Sequence, residues 1–137
     1  MPKGSHPDLE VVKFTVEVGD SEETIDVQVE GVEDVIFNIP ESSKFVTTIY
    51  FRVKNRELKD VKYKQVIKKA GVPIKTRDLE LGPVFQPSDE IYSTAFPEDT
   101  TPGGFFFRGT YPATSTYYAD GEELFTSDWT LTITSKA

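Results

Sequence analysis

The 137-residue chain contains no cysteine. That absence removes disulfides, thiolate zinc sites and cysteine nucleophiles together, and it fits a reducing compartment. Histidine is almost missing as well. His6 is the single one, in the polar leader Met1-Pro2-Lys3-Gly4-Ser5-His6-Pro7. One imidazole in such a leader builds no multi-histidine metal site and leaves histidine catalysis without its residue. No apolar run approaches the roughly 18 residues of a membrane-spanning helix, and the leader lacks the apolar stretch of a secretory signal. No Gly-rich phosphate loop ending in Lys-Ser/Thr and no nucleophile elbow occurs.

Positive charge is in short supply. Fifteen Lys and Arg stand against 23 Asp and Glu, a net charge of −8. Such a surface repels phosphates, which excludes nucleic acid as the expected partner and suits a basic one. Solubility alone would also account for it.

What the chain has in quantity is β pattern. Val12, Phe14, Val16 and Val18 alternate with polar residues, the period of two that marks a half-buried strand. Ile25, Val27 and Val29 repeat the pattern, and Gly19-Asp20 between the two runs predicts a hairpin. Val35, Phe37 and Ile39 alternate before Pro40. Phe45 to Val53 is long and rich in β-branched and aromatic residues, as a central strand should be. Further strands are expected at Val61 to Ile67, Ile74 to Leu81, Glu90 to Phe96, Phe105 to Tyr118 and Trp129 to Ile133. Only Arg56 to Asp60 suggests a helical turn, and no stretch holds a 3.6 period over three turns. The reading is one all-β domain, an antiparallel sandwich over residues 11–137, behind a flexible leader at 1–10.

The side-chain inventory points away from catalysis. Asp89-Glu90 and Glu98-Asp99 sit beside prolines and read as solvated acidic loops rather than as a glycosidase acid pair. In Lys59 to Lys64 and Lys68-Lys69 the lysines alternate with apolar residues, Tyr63 among them, so the lysines read as an outward strand face. The aromatics are more telling. Adjacent side chains of a strand face opposite ways, so Phe105, Phe106 and Phe107 cannot all enter one core. Tyr111, Tyr117, Tyr118, Phe125 and Trp129 follow soon after. A sandwich lined by aromatics and incompletely filled can hold an apolar ligand between its sheets.

Phe51-Arg52-Val53, Asn55-Arg56-Glu57, Tyr63-Lys64-Gln65 and Gly71-Val72-Pro73-Ile74 occur in that order. Pro102-Gly103-Gly104, Arg108-Gly109-Thr110-Tyr111 and Asp128-Trp129-Thr130-Leu131-Thr132-Ile133 follow them. This ordered set resembles the C-terminal domain of the Rho GDP-dissociation inhibitors, from about Phe14 to Ile133. The resemblance implies an immunoglobulin-like antiparallel β-sandwich. It also implies a cytoplasmic, monomeric binding protein with no cofactor, not an enzyme. Members of the family hold the geranylgeranyl group of Rho-family small GTPases between their sheets. They extract those GTPases from membranes, touching the membrane only transiently, and restrain nucleotide exchange.

Carried over position by position, the family's isoprenoid-binding places fall on Val16, Phe37, Phe45, Leu58, Leu79, Leu81, Ala113 and Trp129. Lys68 and Leu79 stand where the family commonly has aromatics, and Ala113 is smaller than the usual branched residue. A pocket of altered width or mouth is therefore expected. The same comparison makes Glu41, Glu98 and Asp99 candidates to face the basic tail of the GTPase, and Asp120 a contact to its body. Arg108 to Tyr111 reads as structural: Gly109 for close backbone approach, and Tyr111 for a buried hydroxyl contact. The family carries a long N-terminal arm that packs on the GTPase switch regions. Only about ten residues precede the first strand expected here, so weak inhibition of GDP release is expected of this chain. The competing expectation is an immunoglobulin-like interaction module with a filled core.

Overall fold

The structure is a computed structural model that describes residues 6–19, 24–104 and 107–135. Ten strands follow one another: β1 Leu9–Val18, β2 Thr24–Gln28, β3 Ile36–Pro40, β4 Lys44–Val53 and β5 Leu58–Lys69. They continue with β6 Val72–Phe85, β7 Tyr92–Ala95, β8 Asp99–Thr100, β9 Gly109–Ala119 and β10 Glu122–Thr134. One sheet has the order β2-β1-β4-β7, with β8 pairing further along the same edge of β4. The other has the order β3-β10-β9-β5-β6. The two sheets form an immunoglobulin-like sandwich. Among the described residues no helix is long and apolar enough to cross a membrane.

Alternation builds the core. Thr47, Ile49, Phe51 and Val53 of β4 point inward, opposite Val61, Tyr63 and Ile67 of β5 and Tyr111, Ala113, Ser115 and Tyr117 of β9. Aromatic pairs bridge the two sheets at three levels. Phe14 meets Phe37 at 5.3 Å between ring centroids, Tyr63 meets Phe96 at 5.1 Å, and Phe51 meets Phe85 at 5.0 Å. Each such pair adds about 0.5–1.5 kcal/mol beyond its area burial.

Several strand readings shift. Leu9, inside the stretch read as leader, already belongs to β1 and is wholly buried. Val12 does not share the inward face with Phe14; Val11 is the core residue and Val12 is half-buried. The register breaks between Val11 and Lys13, and the N–H groups of Val29 and Glu30 both donate to the Val12 carbonyl. That β-bulge exchanges which valine faces the core. Arg56 to Asp60 is not a helical turn, because β5 begins at Leu58 and Asp60 takes a left-handed φ of 48° within it. The strand expected from Phe105 starts at Gly109; Phe105 and Phe106 lie outside the described residues, and Phe107 is 46% exposed.

Among the described residues the pairing is antiparallel except at one place. β3 runs parallel to β10, with Ile36 opposite Thr130 and Pro40 opposite Thr134. The hairpins at Ala70-Gly71 and Asp120-Gly121 carry left-handed φ at both central residues, the turn whose twist matches that of the strands.

Candidate functional site

A cavity of about 60 Å³ lies between the sheets at the end that carries the β5–β6 hairpin. Phe14, Phe45 and Thr47 line it from one sheet, and Phe37, Tyr63, Ile67 and Trp129 from the other. Pockets that enclose drug-sized ligands are typically about 300–1,000 Å³. In this conformation the sheets are nearly closed on one another.

Phe37, Phe45 and Trp129 therefore meet at one place, with Phe37 and Trp129 rings 4.9 Å apart. Val16 sits one layer behind, buried and in register with the lining residue Thr47. Ala113 is buried beside the cavity, in register with both Trp129 and Ile67. Leu79 is half-buried opposite Tyr63 and borders a shallow groove with Lys62, Asp78 and Tyr118. Lys68 lies on another open groove with Ile36 and Asp128. Leu58 and Leu81 are core residues outside the lining: Leu58 pairs with Phe85 near the opposite end of the sandwich, and Leu81 lies between, two residues from Leu79. Nine residues of strand separate Leu58 from Ile67, roughly 30 Å at ~3.3 Å per residue.

One wall of the cavity is polar inside. The Trp129 indole donates its Nε1–H to Ser115 Oγ at 2.7 Å, and the Tyr63 hydroxyl shares the same Oγ at 2.7 Å. Ser115 is 2% exposed. Burial pushes the Tyr63 hydroxyl up to about 12, against the opposing pull of the Ser115 bond and the nearby Arg77 charge.

The mouth is charged. β6 is the outer strand of its sheet, and its inward positions change character along the chain: Leu81 and Leu79 are apolar, Arg77 and Lys75 cationic. Lys75 reaches across to hydrogen-bond Asp99 of β8 in the other sheet. Arg77 lies 3.5 Å from the same carboxylate and donates to the Pro97 carbonyl at 3.0 Å. The Arg77 side chain is only 15% exposed, so much of it is sunk into the opening. Partial burial raises the Asp99 pKa, but hydrogen bonds from Lys75 and the Thr100 N–H, with the two cationic charges, outweigh it. The net result lies below the ordinary value.

The other acidic candidates are scattered. Glu41 is buried and accepts both Nε–H and Nη2–H of Arg108, at 2.8 and 2.9 Å. It also accepts the Gly104 N–H at 3.3 Å, so it ties Gly104 and Arg108 to the end of β3. Glu98 is exposed beside Asp99. Asp120 lies at the opposite end, bonded to Arg56 at 2.7 Å, while Arg56 also holds Asp8 at 2.8 Å. The Tyr111 hydroxyl donates to the Phe107 carbonyl at 2.7 Å, a contact that is half-buried rather than the buried one expected, since Phe107 is exposed. Gly109 differs from expectation: nothing lies within 4 Å of a Cβ built there. A φ of 131° is what calls for glycine, not a close backbone approach.

Sequence reasoning passed over Lys75, Arg77, Gln65 and Ser115. Their signal is positional: Lys75 and Arg77 continue the inward alternation of Leu79 and Leu81, and Gln65 sits between the inward residues Tyr63 and Ile67.

The fold is shared by a Niemann-Pick type C2 protein from Japanese carpenter ant. Its crystal structure superposes with a TM-score of 0.59 at 10% identity, covering 96% of this chain and 97% of that one. In sequence, the chain is 33% identical to Rho GDP-dissociation inhibitor 1 of Arabidopsis thaliana over 89 residues, 65% of this chain and 37% of that protein. It is 32% identical to the Rho GDP-dissociation inhibitor of Saccharomyces cerevisiae over 104 residues, 73% of this chain and 51% of the other. With the Schizosaccharomyces pombe Rho GDP-dissociation inhibitor it shares 25% over 125 residues, 87% and 60% respectively. The matched region thus spans between 37% and 60% of the length of these relatives. The family model for RHO protein GDP dissociation inhibitor matches residues 2–136. Extending over both sheets of the sandwich, that match makes the chain a member of the RHO protein GDP dissociation inhibitor family.

Proposed function

We propose that this chain is the isoprenoid-holding sandwich of a Rho GDP-dissociation inhibitor. It binds the geranylgeranyl group of Rho-family small GTPases between its sheets, withdraws those GTPases from membranes and restrains GDP release. It acts in the cytoplasm as a monomer, with no catalytic step and no cofactor. The carrying observation is the aromatic cavity where Phe37, Phe45 and Trp129 meet, in a chain matched to this family from end to end. In this reading those three residues take the first contacts with the lipid, and Val16 and Ala113 form the wall behind them. Leu79 flanks the path, and Leu58 and Leu81 close its far end. Glu98 and Asp99 meet basic residues carried beside the lipid, which speeds encounter and fixes orientation. Glu41 holds the adjoining loop, and Asp120 touches the GTPase body at the other end.

Burying about 20 carbons at ~0.8 kcal/mol per CH₂ supplies over ~10 kcal/mol gross, ample to separate a pair of weakly joined sheet edges. The small cavity volume is the one observation that favours an interaction module with a filled core instead.

The test is a fluorescence titration, because Trp129 is the single tryptophan. A geranylgeranylated C-terminal peptide should shift its emission saturably, and the unlipidated peptide should not. Equal responses from the two would leave the filled-core module as the better reading.

A further inference from the structure

The inter-sheet cavity is too small for the chain it is proposed to hold, and the residues closing its mouth are charged. Lys75 and Arg77 belong to the outer strand of one sheet, Asp99 and Pro97 to the edge of the other. Among the described residues the contacts between them span a gap that no backbone ladder bridges. Arg77 lines the cavity together with Tyr63. A long apolar chain entering here has to separate β6 from the β7–β8 edge and lift Arg77 out of the opening.

Asp99 decides how readily that happens. Its carboxylate is engaged by two cations of the protein itself, with the Thr100 N–H on its second oxygen. We propose that Lys75, Arg77 and Asp99 form a clasp across the two sheet edges that gates lipid entry, with Lys75 and Arg77 as internal stand-ins for a cation carried beside the lipid. An arriving ammonium or guanidinium competes for Asp99, releases Lys75 and Arg77, and loosens the clasp as the tail enters. A neutral-headed amphiphile has to break the clasp with nothing to replace it. An acid-headed one adds repulsion at Asp99 and Glu98. The inference rests on the isoprenoid-binding reading and adds to it a device that ties lipid entry to neighbouring charge.

The experiment compares two geranylgeranylated peptides, identical except for lysines or glutamines beside the lipidated residue. Their entry is followed by stopped-flow emission of Trp129. The intact chain should take up the lysine peptide at least threefold faster than the glutamine peptide. In the Lys75→Gln/Arg77→Gln variant, which keeps side-chain bulk and loses charge, the glutamine peptide should enter three- to tenfold faster than in the intact chain. Asp99→Asn should bring the two peptides within twofold of each other. Raising the salt concentration should speed entry of the glutamine peptide into the intact chain, a readout that needs no variant. If both peptides bind but entry of the glutamine peptide responds neither to the double variant nor to salt, the clasp is overturned while the lipid site stands. If neither peptide binds the intact chain, the lipid site falls and the clasp with it.

Discussion

Trp129 and Tyr63, on strands separated by β9, share one hydrogen-bond partner: the Ser115 hydroxyl, 2.7 Å from each. The indole can only donate, so Ser115 Oγ accepts there and keeps its own hydrogen for Tyr63 or receives a second one. The arrangement lets a tryptophan and a tyrosine face a largely apolar space with their polar atoms paired.

Removing the shared partner tests how much this matters. Ser115→Ala leaves the Tyr63 hydroxyl, and the indole N–H where it is buried, without their bonds, at about 1–3 kcal/mol for a buried orphan. Denaturant unfolding should show a lower midpoint with an unchanged slope. Trp129 emission should shift in the folded variant. A variant as stable as the parent would mean that water or rearrangement replaces Ser115.

Alkaline pH probes the same cluster. Tyr63 has a folded-state pKa of about 12, above the ordinary tyrosine value near 10, because it is buried. The raised pKa contributes stability that is fully present below about pH 10 and is lost as pH rises toward 12. Tyr117 is shifted the same way, by burial first and the neighbouring Tyr63 second. Unfolding free energies measured from pH 8 to 12 should therefore fall, and Tyr63→Phe should make the fall shallower.

At acid pH the clasp should fail. Asp99 has a folded pKa below its unfolded value, so its contribution is complete above about pH 4 and disappears as pH drops through the folded value. Glu10 is also lowered, chiefly by its hydrogen bond from Lys54, and adds to the same trend across β1 and β4. Amide exchange at residues 98–100, taken relative to its intrinsic rate, should rise as the pH falls below about 4. In Asp99→Asn it should already be fast at pH 6.

The pair Glu41 and Arg108 should hold the segment before β9 against cleavage. Arg108→Ala removes a two-pronged contact and leaves the Gly104 N–H as a weaker link to Glu41. Limited proteolysis should nick the variant between residues 102 and 108 before the rest of the chain, at a rate the parent does not reach.

Much of the fold was legible because alternation is a local property. β2 and β3 read directly from their period of two, and β4 from its run of β-branched and aromatic residues, while the hairpin read at Gly19-Asp20 falls partly outside the described residues. Val12 failed for a physical reason. Val11 and Val12 are adjacent and equally apolar, and only the ladders to β2 and β4 decide which faces inward. At the site, Phe37, Phe45 and Trp129 came from resemblance and converge in space. Lys75 and Arg77 were hidden because a cation on a strand normally implies an outward face. Their reason for facing inward, Asp99, lies in the other sheet, more than twenty residues along the chain.

The parallel pairing of β3 with β10 also governs when the molecule can be finished. Residues 36–40 have no sheet neighbour until residues 130–134 exist, since β10 alone joins β3 to its sheet. During synthesis the first strands can begin pairing early, while Phe37 and Ile39 wait for the last strand. Contacts of such long sequence separation delay folding to about the millisecond-to-second range. A chain stopped before residue 130 would keep most of its strands, yet leave one wall of its cavity as an unpaired apolar ribbon.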